Sequence, residues 1–150
     1  MKSLTRMSFT AGIIAALAIP AVAAHARNTE HFYSAEEAVE EGEGNAPSAS
    51  IPFYLEVQAH PRAVRVIGTW TANRPARGFL RSDTASCQVA FRSAVISLQK
   101  RAKDEGGNGI IDIVSVTRGK ETSSSSDYRC VAGATVVHVA LRGTVVEFVE

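Results

Sequence analysis

Apolar residues recur through the middle of the chain at helical spacing. Cys87, Ala90, Phe91, Ala94, Val95, Leu98 and Ala102 fall on one stripe of a helix of about 3.6 residues per turn. Asp83 or Thr84 is placed to cap its start by accepting hydrogen bonds from free backbone N–H groups. Lys100, Arg101 and Lys103 suit the negative end of its dipole. Gly106-Gly107-Asn108-Gly109 then ends the helix and leads into the apolar run from Ile110. A helix with one apolar stripe must lie on another apolar surface, which here is a sheet.

Alternation of period two marks the partners of that helix. Phe53, Leu55, Val57 and Ala59 alternate with Tyr54, Glu56, Gln58 and His60, which predicts a half-buried strand beginning at Ile51. A turn at His60-Pro61-Arg62 leads to a second strand from Ala63 to Thr71, and Asn73 to Gly78 reads as a loop by its Pro and Gly. After the helix, Ile110 to Arg118 forms a third strand and the serine-rich Gly119 to Asp127 a mobile loop. A fourth strand runs from Tyr128 to about Leu141, with a bulge expected at Gly133 and a bend at Arg142-Gly143 before Thr144 to Val149. The fold class is α+β in the order β-β-α-β-β, one helix packed on a small antiparallel sheet.

The first fifty residues belong to neither pattern. Lys2 and Arg6 precede the apolar run Gly12 to Ile19 and two A-x-A sites ending at Ala23 and Ala26, the plan of a secretory signal peptide over residues 1–26. From Arg27 to Ser50, Glu36, Glu37, Glu40, Glu41 and Glu43 crowd among Gly, Pro and Ser. Such composition predicts an acidic disordered tail ahead of a domain spanning residues 51–150. No cysteine stands at the cleavage site for a lipid anchor, so the mature chain is expected to be periplasmic or secreted.

Charge redraws this outline. Without Lys2 and Arg6, 14 basic residues face 15 acidic ones, a balance that argues against nucleic acid as a partner. The bases are concentrated from Arg62 to Lys103, where Asp83 is the single acid. Arg74, Arg77 and Arg81, with Phe79 and Leu80 between them, and Arg92 on the helix form a candidate anion-binding face. Its partner would be an envelope protein or an anionic envelope component. The alternative is a solvated loop partly neutralised by the acidic tail. Val89 and Ile96, seven residues apart and nearly opposite the core stripe, are a candidate seam for a homo-oligomer.

Candidate chemistry is sparse. No H-E-x-x-H, nucleophile elbow or G-x-x-x-x-G-K-[ST] loop occurs, and no enzyme and no cofactor are expected. Cys87, Cys130, His60 and His138 include metal-ligand types but lack close spacing, so no metal site is assigned. Cys87 lies on the core stripe and Cys130 at the start of the last strand, one face of which must carry the helix. The two are expected to form a disulfide closing a loop of 43 residues, worth about 4 kcal/mol by chain entropy.

Ser86-Cys87-Gln88, Gly106 to Ile110 (compare G-A-N-A-V), Ser115, and Tyr128-Arg129-Cys130-Val131-Ala132-Gly133 together resemble RcsF-like and YbjQ-like domains. The resemblance covers about Ile51 to Val146 and implies a β-β-α-β-β fold. In YbjQ-like members it implies oligomers and a heavy-metal-binding label. In RcsF-like members it implies envelope-stress signalling through protein partners. RcsF-like domains carry four cysteines and a lipid anchor, where this chain has two cysteines in all.

Overall fold

A computed structural model describes residues 27–40 and 45–149. The signal peptide expected over residues 1–26, and Glu41 and Glu43 of the expected tail, lie outside the described residues. Among the described residues the architecture is α+β, with two helices and a mixed six-stranded sheet. In chain order the elements are β1 (Thr29–Ser34), α1 (Ala35–Glu40), β2 (Phe53–Leu55), β3 (Ala63–Arg77), α2 (Asp83–Asp104), β4 (Gly109–Ser115), β5 (Asp127–Ala132) and β6 (Val136–Phe148). A single 3-10 turn covers Thr117–Gly119.

The sheet is organised by β6. One of its edges pairs with β3 from end to end, and the other pairs first with β5 and then with β4. β1 adds to β5 and β2 adds to β4, giving the order β1-β5-β6-β4-β2 with β3 along the opposite edge of β6. β5 and β4 must diverge where they share that edge, and Ser115, Val116 and Thr117 fill the fork. The Thr117 hydroxyl accepts from the Ala140 N–H at 3.0 Å and donates to the Arg129 carbonyl at 3.0 Å. The Ser115 hydroxyl accepts from the Arg129 N–H at 2.9 Å, and the Val116 N–H reaches the Ala140 carbonyl at 2.8 Å. These bonds meet backbone groups of Arg129 and Ala140 that the split takes out of the sheet ladder.

The predicted helix is present and its whole apolar stripe is buried against the sheet, chiefly β6 and β3. Its cap differs from expectation. Ser82 rather than Asp83 or Thr84 is extended (φ −65°, ψ 153°) and accepts from the Ala85 N–H at 3.1 Å, while Asp83 is occupied by Arg27 and His31. At the other end Gly106 takes φ +76°. The Gly106 N–H then bonds the Lys103 carbonyl and the Gly107 N–H the Ala102 carbonyl, the paired bonds of a Schellman ending. Cys87 and Cys130 lie at disulfide distance, with Cα atoms 6.0 Å apart, and join α2 to β5. That bond points to an oxidising compartment. Among the described residues no helix is long and apolar enough to cross a membrane.

Several expectations are corrected. The acidic tail is not disordered from Thr29 to Glu40. β1 pairs with β5 from Thr29↔Ala132 to Ser34↔Asp127, and α1 buries Ala35 and Ala38 against the core. Composition failed here because the ordering uses backbone partners on the edge of β5, which hydropathy does not count, and a few apolar side chains, Tyr33, Ala35, Ala38 and Val39, suffice to dock the segment on the core. The first predicted strand shrinks to Phe53–Leu55 and runs parallel to β4, so the sheet is mixed rather than antiparallel. The Gln58 side chain accepts from the Leu55 N–H at 2.8 Å and turns the chain away. The predicted loop at Asn73–Gly78 is largely strand, since Pro75 lies on an edge strand, where a missing N–H is tolerated. Gly133 closes the β5–β6 turn through its N–H and the Val136 carbonyl, rather than forming a bulge. β6 runs unbroken through Arg142-Gly143. A Cβ at Gly143 would stand 2.8 Å from Ile110, so the glycine there serves the close packing of β6 and β4.

Candidate functional site

The exposed flank of α2 and the outer edge of β3 enclose a groove. β3 pairs only with β6, so along the other edge no strand bonds to it among the described residues. On β3, Trp70, Ala72 and Arg74 alternate toward α2, while Thr71 and Asn73 are exposed. The Arg74 Nη2 donates to Ser97 Oγ at 2.7 Å across the groove. At one end the hollow measures about 390 Å³, is floored by Val89 and Ile96, and has Arg74 and Lys100 at its rim. The next hollow along, about 170 Å³, has Trp70, Thr71 and Ala72 on one wall and Leu98 and Arg101 on the other. Both hollows share Ser97 and Lys100, which makes them one channel. The Arg101 guanidinium lies 5.8 Å from the centre of the Trp70 ring and holds the indole at the channel wall.

Four arginines and two apolar residues were singled out from the sequence for separate roles, and the structure redistributes them. Arg74, Arg92, Val89 and Ile96 meet in the one groove. Arg77 is exposed at the end of β3 and Arg81 is exposed just before α2. Neither lines the groove; they flank the exposed apolar tip Phe79-Leu80. Arg92 is no surface cation. It is 3% exposed, and its Nη1 donates to the Ala38 carbonyl at 2.8 Å, capping the last turn of α1. Lys100, which sequence reasoning assigned only to the helix dipole, completes the rim while bonded to Asp104 at 2.8 Å. An i, i+4 pair of exposed side chains exchanges readily with another carboxylate. The signal that could have found Lys100 is its place four residues beyond Ile96 on the same helical face.

The other cluster of charge lies at the fork. Arg129 is 4% exposed; its Nη1 donates to the Thr117 carbonyl and its Nη2 to Glu30 at 2.9 Å. Lys120 reaches the same Glu30 at 3.3 Å. Hydrogen bonds from Arg129 and Lys120 hold the Glu30 carboxyl down at about 2. Among the described residues the acidic tail forms ion pairs at two places. The tail residue Glu30 serves Arg129 and Lys120, and Arg27 pairs with Asp83. Burial, and then the charge of Arg118, lower the pKa of His138 nearby.

For metal chemistry the candidates do not converge. Cys87 and Cys130 are bonded to each other, and His60 packs among Tyr54 and Phe148. Among the described residues no three His, Cys, Asp or Glu side chains gather to hold an ion. Asp112, the acid flanked by Ile111 and Ile113, is exposed at φ 53°, where β4 shifts register against β6. Asp is one of the few side chains that accept that conformation. Compared with protein-family models, curated proteins and solved structures, the chain matches none of them.

Proposed function

We propose that this chain is an exported, non-enzymatic interaction module of the bacterial cell envelope, periplasmic or secreted and RcsF-like in its manner of working through protein partners. Its α2–β3 groove receives an acidic part of the partner. The observation that carries this reading is the pairing of an apolar floor, Val89 and Ile96, with the cationic rim of Arg74 and Lys100 in one open channel. An apolar floor supplies affinity through burial, and a cationic rim selects the sign of the partner and speeds encounter. The bonded cysteines favour an oxidising setting for that encounter.

A pull-down from envelope extract tests the reading, with the unmutated chain and the Arg74→Glu/Lys100→Glu variant as baits. Both positions are exposed, so the variant should melt within a few degrees of the unmutated chain, a change of about 0.5 kcal/mol or less. The expected result is a partner retained by the unmutated chain in low salt and lost by the variant. The same partners on both baits would refute the groove.

A further inference from the structure

We infer that the groove is built for strand addition: an extended acidic segment of a partner protein lies in it as a further β-strand on the open edge of β3. This rests on the groove reading above and names the form the partner takes. Three features of the groove converge on it. The edge of β3 from Trp70 to Arg74 carries backbone N–H and C=O groups with no strand beside them among the described residues, and such an edge is a template for another chain. The hollow beside Trp70, Thr71 and Ala72 lies along that edge with α2 as its opposite wall, and Arg74 continues it into the larger hollow, so an incoming strand about 4.8 Å from β3 would have a helix covering one of its faces. The lining offers both apolar and cationic groups. Val89 and Ile96 take an apolar side chain, and Arg74 and Lys100 take a carboxylate.

The open stretch ends at Pro75, which has no N–H to offer, and beyond it Arg77 ends the strand. Trp70 is the sole tryptophan of the chain, so its emission reports on this wall alone.

The test uses the full chain and synthetic peptides of about six to eight residues, the length of an ordinary strand, alternating Asp or Glu with Val, Leu or Ile. Trp70 emission is the readout. An extended strand turns its N–H groups alternately to its two sides, so N-methylation at every second residue blocks one edge and spares the other. The expected result is binding by the unmethylated peptides and by one methylation frame. The other frame should bind at least about tenfold more weakly, having lost its ladder bonds to β3. Arg74→Glu should weaken all of them. Equal binding by both frames, with Arg74→Glu still effective, would overturn strand addition and leave the groove as an acidic-segment site. No binding by any peptide overturns strand addition, and with it the acidic-segment reading if the pull-down also shows no Arg74 dependence. A response to anionic phosphatidylglycerol vesicles alone would assign the cations to a membrane surface and overturn the inference as well.

Discussion

Two arginines on opposite sides of the sheet show how differently one side chain can be used. Arg129 sits in the fork between β5 and β4, with its charge met by Glu30 and a hydrogen bond to the Thr117 carbonyl. Arg74 stands at the open edge of β3, where among the described residues it donates to the Ser97 hydroxyl and, at 3.5 Å, to the neighbouring Asn73 carbonyl. The first is closed: its partners are inside the protein and removing it should cost stability. The second is open: among the described residues no carboxylate meets its guanidinium, and removing it should cost binding. Charge alone does not separate them, because what matters is whether the fold supplies the counter-charge. Arg92 belongs with Arg129, since it is spent on holding α1.

The largest disturbance of this arrangement is the loss of the bond that ties α2 to β5, since α2 walls the groove and β5 carries Arg129. Cys130→Ser should lower stability by about 4 kcal/mol, the chain-entropy value for a loop of 43 residues. That is a large share of the 5–15 kcal/mol typical of a domain. Denaturation with and without reductant checks it. The unmutated chain should fall to the level of the variant under reductant, and the variant should not respond. Labelling of two free thiols in the unreduced, denatured chain would refute the bond.

Next comes the contrast itself. Arg129→Met should cost about 2 kcal/mol, by removing its charge-assisted bond to Glu30 and its bond to the Thr117 carbonyl. Arg74→Met should stay within about 0.5 kcal/mol. The pH dependence sharpens the comparison. The Glu30 carboxyl titrates at about 2 in the folded chain against an ordinary value of 4.5. Between those values the unfolded chain binds the proton first, so the contribution of Glu30 is present above pH 4.5 and drains away as pH falls toward 2. In Arg129→Met the largest cause of the depression is gone, and this acid limb should flatten. Urea midpoints across that window measure it. An unchanged limb would mean that Lys120 alone holds Glu30.

Much of the scaffold was legible in the sequence because it is written in period. The α2 stripe, the glycine turn after it and the strand from Ile110 follow from spacing alone, and so does the position of Cys87 over the sheet. What was hidden depends on partners remote in sequence. β1 is ordered by β5, nearly a hundred residues away, and Ala38 by an arginine of α2. Pro75 reads as a loop signal until β3 is known to be an edge. For the same reason the groove was visible only in halves. Its cations and its apolar pair each stood out, but their meeting needs β3 to run on to Arg77 beside α2.

The smallest predicted effect falls on the groove floor, at Ile96. Its side chain is half-buried, with no core partner that depends on it, so Ile96→Glu should leave the melting temperature nearly unchanged. The new carboxylate would stand beside Arg74 and Lys100 and occupy them from within the chain, which closes by mutation what is otherwise open. Affinity for acidic peptides should fall by about tenfold, or about 1.4 kcal/mol. The same variant separates the two uses considered for Val89 and Ile96. If a partner strand occupies the groove, light scattering should give the same mass before and after the mutation, and only peptide binding should change. If a second copy occupies it, the mass should drop to that of one chain, and the apolar pair would be a subunit seam. Measuring mass and peptide affinity on one preparation therefore decides which molecule the open edge receives.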